Sequence, residues 1–305
     1  MIELRALRPA EVDAWLDHCA EVFEGKATRE YFAAHLHSDP RALESWGNIV
    51  VAVDAASRKI VSTVRVVPRQ QYFNRGIVPM SGLAEVSTKE TYRRQGLAAQ
   101  LIDMAIQGPM SGSAISFLHT NFDRLGHHYT KHGYISMPHT KVLVHPVPVE
   151  LDVATYQLRS LDLDRDCDAL LRVYAAFASR FDGPLVRDRA YVTHWIRARH
   201  ELKLVVATGI WAGTDLVGYV FAAPELVEEI GVDPALAKRD QTLVANALLK
   251  TAPPSMLPTP VAAALQLNVD AATQTCDKGG MYRPMAPSTL LRSDAEIVFW
   301  NTDDF

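Results

Sequence analysis

Apolar positions along the chain fall into short runs and helical stripes, and the same order of elements occurs twice. Leu4–Leu7 is a short strand-like run. Residues 10–22 and 28–36 carry helical spacing, with Pro9 early at the first start. Asn48–Val53 and Ile60–Val67 are rich in β-branched residues and flank a polar turn at Asp54–Arg58, which predicts a hairpin. Tyr72–Val78 continues the sheet around Asn74-Arg75-Gly76. A strand at Leu83–Val86 then runs into a polar turn. After the turn, Leu97, Leu101, Met104 and Ala105 share one face of a helix. Ala114–Leu118 reads as a further strand.

Lys141–Val149 is apolar but holds Pro146 and Pro148, which suits an edge strand or a linker and marks a boundary near His145. Beyond it, Tyr156–Leu161 is strand-like. Asp164 can cap a helix to Phe181, with Leu170, Leu171, Tyr174, Phe177 and Ala178 on one face. Arg187–His200 is again helical. Lys203–Ile210 and Asp215–Phe221 form a second hairpin pattern, Lys238–Lys250 a further helix and Ala295–Trp300 a closing strand. The order strand, two helices, hairpin, helix, strand thus recurs. The expected class is α/β (α+β), with two domains at residues 1–145 and 146–305, each a mixed, mostly antiparallel sheet flanked by helices.

Composition narrows the function classes. The chain has 305 residues, 48% of them hydrophobic and 22% charged, enough for two ordinary cores. A net charge of −4 and the lack of a long basic run argue against a duplex nucleic-acid binder. The same balance leans towards a cationic acceptor. The N-terminus, MIELRALRPAEVDAWL, carries acids early and is not a signal peptide. No apolar run reaches the ~20 residues that span a bilayer. Cys19, Cys167 and Cys276 lie far apart and read as reduced thiols, so a cytoplasmic protein without membrane partners is expected. A homo-oligomer is left open.

The turn before the helix carries the chemistry. Arg93-Arg94-Gln95-Gly96-Leu97-Ala98 joins a strand to a helix N-terminus. The first helical turn presents N–H groups without intrahelical partners and a positive dipole end. Gly96 lets a ligand approach the backbone, and two arginines add charge. The expected guest is a pyrophosphate. His127, His128 and His132 sit close together, but no carboxylate completes a zinc spacing, and no metal is expected.

Arg93, Gly96 and Ala98 resemble the [QR]-x-x-G-x-[GA] signature of the GNAT N-acyltransferase superfamily. His128-Tyr129-Thr130-Lys131-His132-Gly133-Tyr134 is similar to its F-Y-x-x-x-G-[FY] segment, with His128 in place of the usual Phe. The two-fold order resembles tandem acetyltransferases of the enhanced-intracellular-survival (Eis) type. Those carry a further sterol-carrier-like domain, which this length does not accommodate. The resemblance implies two tandem GNAT-like domains, the second degenerate. It implies direct transfer of an acetyl group from acetyl-CoA to a primary amine of a small molecule or of a peptide.

Val86 and Thr88 would meet the pantetheine, Arg93 to Ala98 the pyrophosphate, and Tyr129 would be the general acid. The C-terminal carboxylate of Phe305 is implied as base, helped by Asp303 and Asp304, which could also attract a cationic acceptor. Glu85 is the alternative base; its plainer reading is an ion-paired residue on the outer sheet face. Phe23, Tyr31, Phe32 and Trp46 would cover the acceptor side. Two rival functions stand beside this one: a non-catalytic acyl-CoA sensor, and an acyltransferase for longer acyl chains.

Overall fold

The computed structural model describes residues 1–39, 41, 45–285 and 297–303. The first half runs β1 (Ile2–Ala6), α1 (Val12–Val22), α2 (Arg29–Ser38), β2 (Ile49–Asp54), β3 (Lys59–Phe73), β4 (Gly76–Thr88), α3 (Leu97–Gln107), β5 (Ile115–His119), α4 (His127–Thr130), β6 (Ile135–Ser136) and β7 (His139–Val144). The second half repeats this order as β8 (Tyr156–Ser160), α5 (Cys167–Ala178), α6 (Arg197–Lys203), β9 (Val206–Ala212), β10 (Asp215–Ala222), β11 (Val227–Val232), α7 (Lys238–Leu249), β12 (Ser255–Pro258), α8 (Thr259–Ala264), β13 (Val269–Asp277) and β14 (Gly280–Pro284). Among the described residues no helix is long and apolar enough to cross a membrane.

The two halves exchange their last strands. The first sheet has the order β1-β2-β3-β4-β5-β14-β6, so β14 from the second half lies between β5 and β6. It pairs antiparallel with both, Tyr282 opposite Phe117 on one side and Ile135 on the other. In return β7 lies between β12 and β13, while β8 to β11 form a sheet of their own. The backbone crosses the expected boundary near residue 145 in both directions. A cut there would remove β14 from inside the first sheet and β7 from inside the three-stranded one. One large apolar cluster accordingly joins Phe73, Met80, Ile115 and Phe117 of the first half to the core of the second.

The continuous apolar run of β2 is explained by burial on both faces. Val50 and Ala52 pack towards α3, whereas Ile49, Val51 and Val53 pack towards α1 and α2. β3 and β4 turn on Asn74 and Arg75, both at positive φ (51° and 61°). That is the twist a two-residue hairpin loop favours. The segment expected to close the fold, 295–300, forms no strand over its described part. Ile297 makes only an isolated bridge to Asp182, and Val298 and Trp300 pack into the core. Among the described residues the last strand is β14.

Four histidines are packed neutral. Burial drives His18, His139 and His200 down to about 4 and His35 down to about 3. His18 also ties α1 to the strands beneath it, through Ile60 O at 3.1 Å and Ser87 Oγ at 3.0 Å. Their folded values lie below the unfolded one, so the unfolded chain binds more protons between about pH 6.5 and 4. The denaturant midpoint is therefore expected to fall steadily as pH drops through that window. A midpoint flat down to pH 4.5 in equilibrium unfolding would contradict this packing.

Candidate active site

β4 and β5 run parallel only over Met80–Gly82 and Ile115–Phe117. Beyond Gly82 no pairing continues, and a cavity of about 230 Å³ opens between the strands. Leu83, Ala84, Glu85 and Val86 of β4 form one wall and Phe117 and His119 of β5 the other. Tyr129 of α4, Phe23 and Phe299 close it.

The geometry of β4 here is unusual. Arg65 stands opposite Ala84 but Thr63 opposite Ser87, so one extra residue bulges out of β4. Glu85 takes φ = +44° at the bulge. That is costly for a residue with a Cβ, by about 1–2 kcal/mol. A buried network holds it there. Arg65 Nη1 donates to Glu85 Oε1 at 3.2 Å, Arg65 Nη2 to Asp39 at 3.3 Å, and Arg69 Nη1 to Asp39 at 3.1 Å. Glu85 is thus ion-paired, as its plainer reading held. It is not on an outer face, however, because the bulge turns it into the cavity wall.

Tyr129 is buried, and desolvation pushes its phenol up to about 12. Among the described residues its hydroxyl makes no hydrogen bond, while the neighbouring Tyr134 hydroxyl pairs with Ser116 Oγ at 2.7 Å. Gly133, at φ = +81°, reverses the chain after α4 so that the Tyr134 N–H can reach Tyr129 O at 3.3 Å. The glycine of the second motif therefore fixes where Tyr129 stands.

A second cavity, of about 460 Å³, lies at the start of α3. Thr88, Arg93, Arg94, Gly96, Leu97 and Ala98 line it, joined by His128, Lys131 and His132. Arg94 and Gly96 both adopt left-handed backbone (φ = 63° and 75°), the kind of conformation that makes successive N–H groups converge on an anion. Arg93 Nε donates to Thr88 O at 3.2 Å. Among the described residues neither arginine forms an ion pair, so their charge is available to a guest. Gln95 shares the loop but is not in the lining. His128, where the motif has Phe elsewhere, faces this cavity. Burial, then His132, His127 and Lys131, hold it below the ordinary imidazole range. Val86 borders the first cavity and Thr88 the second, so three residues of β4 connect them.

His119 was not singled out from the sequence. Its Nε2 lies 2.8 Å from Asp277 Oδ2, 158 residues away and brought there by β13 and β14. The Gly279 N–H donates to Asp277 Oδ1 at 2.7 Å. Burial works against the Asp277 charge, but His119, Gly279 and nearby positive charge together hold its carboxyl below the usual carboxylate range. A Cβ at Gly279 would stand 2.9 Å from His119 Nε2, so only glycine admits the pair.

Of the aromatic residues expected over the acceptor side, Phe23 lines the cavity. Phe32, Tyr31 and Trp46 pack in the core beneath α1 and α2. Asp303 is not free to meet an acceptor: it is buried on Arg187 at 2.7 Å and accepts from the Leu185 N–H at 3.1 Å. The same arginine holds Glu229 at 2.6 Å. Asp304 and Phe305 lie outside the described residues.

Residues 3–136 match the family model described as an acetyltransferase (GNAT) domain. No curated protein matches the sequence. Among solved structures, a GCN5-related N-acetyltransferase from Anabaena variabilis is similar, with a TM-score of 0.71 and 17% identity over 94% of this chain and 73% of that one. Eis1 from Mycobacterium abscessus gives 0.65 and 13% over 93% and 74%. A tandem GNAT protein from the clavulanic acid biosynthesis pathway gives 0.53 and 14% over 95% and 100%. At these identities the likeness is one of fold, and it extends over both halves.

Proposed function

We propose, from a chain whose residues 3–136 are a GNAT acetyltransferase domain, that this acyl-CoA-dependent transferase moves an acetyl group from acetyl-CoA directly to a primary amine. One observation carries the reading: the anion cradle at Arg93–Ala98 and the cavity holding Tyr129 are joined by the stretch Val86–Thr88 of β4, which pairs with β3 on one side and no longer with β5 on the other. An elongated ligand with a diphosphate at one end and a reactive group at the other fits that layout. Arg93, Arg94, Lys131 and the N–H groups around Gly96 would hold the diphosphate. The backbone of Val86 and Thr88 would meet the amides of the pantetheine as a neighbouring strand would. A first cavity of only about 230 Å³, shared by acyl group and amine, favours acetyl over long chains.

Tyr129 supplies the proton for the departing sulfur. Its burial keeps it protonated at every working pH, and among the described residues its hydroxyl has no hydrogen-bond partner. On the opposite side, an ammonium must lose a proton before its nitrogen can attack. With Nε2–H donated to Asp277, His119 Nδ1 carries the lone pair for that step. Glu85, held by Arg65, places negative charge beside the amine and attracts it.

A panel of primary amines assayed for CoA release tests the function, and thiol release without N-acetylated product would refute amine transfer. His119→Gln is expected to lower kcat/KM about 10²-fold at pH 7. The deficit should shrink as pH approaches the amine's own value, ~10.4 for a lysine-like group. An equal deficit at pH 7 and pH 9.5 would exclude His119 as the base.

A further inference from the structure

A third cavity, of about 220 Å³, adjoins the first and shares His119 and Phe299 with it. Its remaining wall comes from the exchanged strands and the end of α6: His139 and Lys141 of β7, Asp277 of β13, Lys203 and Asn301. It exists only because the two halves trade strands.

Its charged groups are not all held in ion pairs. Asp277 is held by His119 at 2.8 Å and Lys203 by Glu228 at 3.2 Å. Lys141 is left over. Among the described residues its ammonium has one hydrogen bond, to Asn301 Oδ1 at 3.4 Å, and no carboxylate within ion-pair distance. Burial lowers its pKa, and the more distant Asp277 and Glu228 charges offset only part of that. His139 is neutral, and its Nε2 is buried without a partner among the described residues. A half-buried ammonium lining an open cavity is a charged donor for an oxyanion. The cavity is too small for a second cofactor and suits one carboxylate or phosphate on a short carbon stem.

Resting on the function proposed above, we infer that this cavity is the acceptor's second anchor. The amine lies in the first cavity at His119 and Tyr129. The other end of the same molecule is an anion bound by Lys141, with Lys203 at the rim. The acceptor class is then a small amine bearing a carboxylate or phosphate. The overall charge of −4 and the acidic C-terminal residues had leaned the other way, towards a cationic acceptor. The local field decides here, because binding energy is set by the groups within a few ångströms.

The test compares kcat/KM for matched amines differing only at the far end: β-alanine and γ-aminobutyrate for carboxylate, phosphoethanolamine for phosphate, the corresponding carboxamides, and diaminopropane. The anionic amines are expected to exceed their carboxamides at least tenfold, and Lys141→Met to remove that preference while leaving the rates for the carboxamides in place. Lys141→Arg should restore part of it. Lys203→Gln should reduce it severalfold; because it also removes the partner of buried Glu228, its thermal transition is measured alongside. The carboxylate and phosphate arms show which oxyanion is preferred. Equal or better rates for carboxamides or the diamine would overturn the anchor and leave the transferase standing. Calorimetry on the acetyl-CoA complex separates the remaining case. If no amine is acetylated but acetyl-CoA binds, anionic amines that bind with a Lys141-dependent affinity uphold the cavity assignment, and amines that do not bind overturn it together with the transferase reading.

Discussion

Tyr129→Phe is expected to lower kcat by about 10²–10⁴-fold while leaving acetyl-CoA affinity nearly unchanged. The change removes one oxygen and keeps the ring. The ring is buried against Tyr134 at a centroid distance of 6.2 Å, so the fold should tolerate it. None of the described residues loses a hydrogen bond, since the hydroxyl donates to none of them. What is lost acts only as negative charge builds on sulfur. A phenol raised to about 12 is a weak acid in water. In the proposed mechanism the sulfur leaves inside the same desolvated cavity, where a thiolate is also more basic, so the match between donor and acceptor is kept. The effect should therefore fall on kcat rather than on binding. A variant with full turnover, measured where chemistry limits the rate, would remove Tyr129 from the mechanism and favour a non-catalytic acyl-CoA binder.

Much of this site was legible locally. Gly96 and the helix after it are fixed by backbone needs that act within a few residues: a left-handed residue, an amphipathic face, a basic turn. The segment around Tyr129 and Gly133 likewise spells out its own reversal. The hairpin β2–β3 and the opening order of both halves, strand, two helices and hairpin, followed from period and turn chemistry, whereas β11, β12, α8 and β13 were not read from it. What the local pattern could not supply was pairing across distance. Gly280–Pro284 begins with glycine and ends with proline, which reads as a turn, yet it is an internal strand of the first sheet. Ile297–Trp300 is apolar enough for a strand, but it is buried as an extended plug. The His119–Asp277 pair spans 158 residues and depends on that strand exchange. Glu85 had two readings because its direction is set by a bulge, and a one-residue bulge moves a side chain to the other face without a sequence signal. Asp303 misled for a similar reason. A charged residue near a C-terminus reads as solvated, whereas Arg187 and Glu229 draw it into the interior.

Gly96→Glu is expected to abolish detectable acetyl-CoA binding in a protein that still folds. Two effects combine, and they can be separated. Gly96 sits at φ = +75°, so any Cβ adds strain of about 1–2 kcal/mol. Space alone is not limiting within the protein, since a Cβ there would meet only Gln100 Nε2, at 3.6 Å. Gly96→Ala should therefore show the strain and little else, with a modest loss of stability and affinity. Glutamate adds a carboxylate where the diphosphate must lie, against N–H groups and arginines that would then pair with it instead. The cradle would be filled from within by a resident anion. The buried face of α3, Leu97, Leu101, Ile102 and Ala105, is untouched and holds the helix in place, so the thermal transition should stay cooperative. Calorimetric titration of Gly96→Ala and Gly96→Glu with acetyl-CoA distinguishes the terms. If the glutamate variant binds as well as the alanine variant, the diphosphate does not sit at the start of α3, and the site must be rebuilt from another part of the sheet.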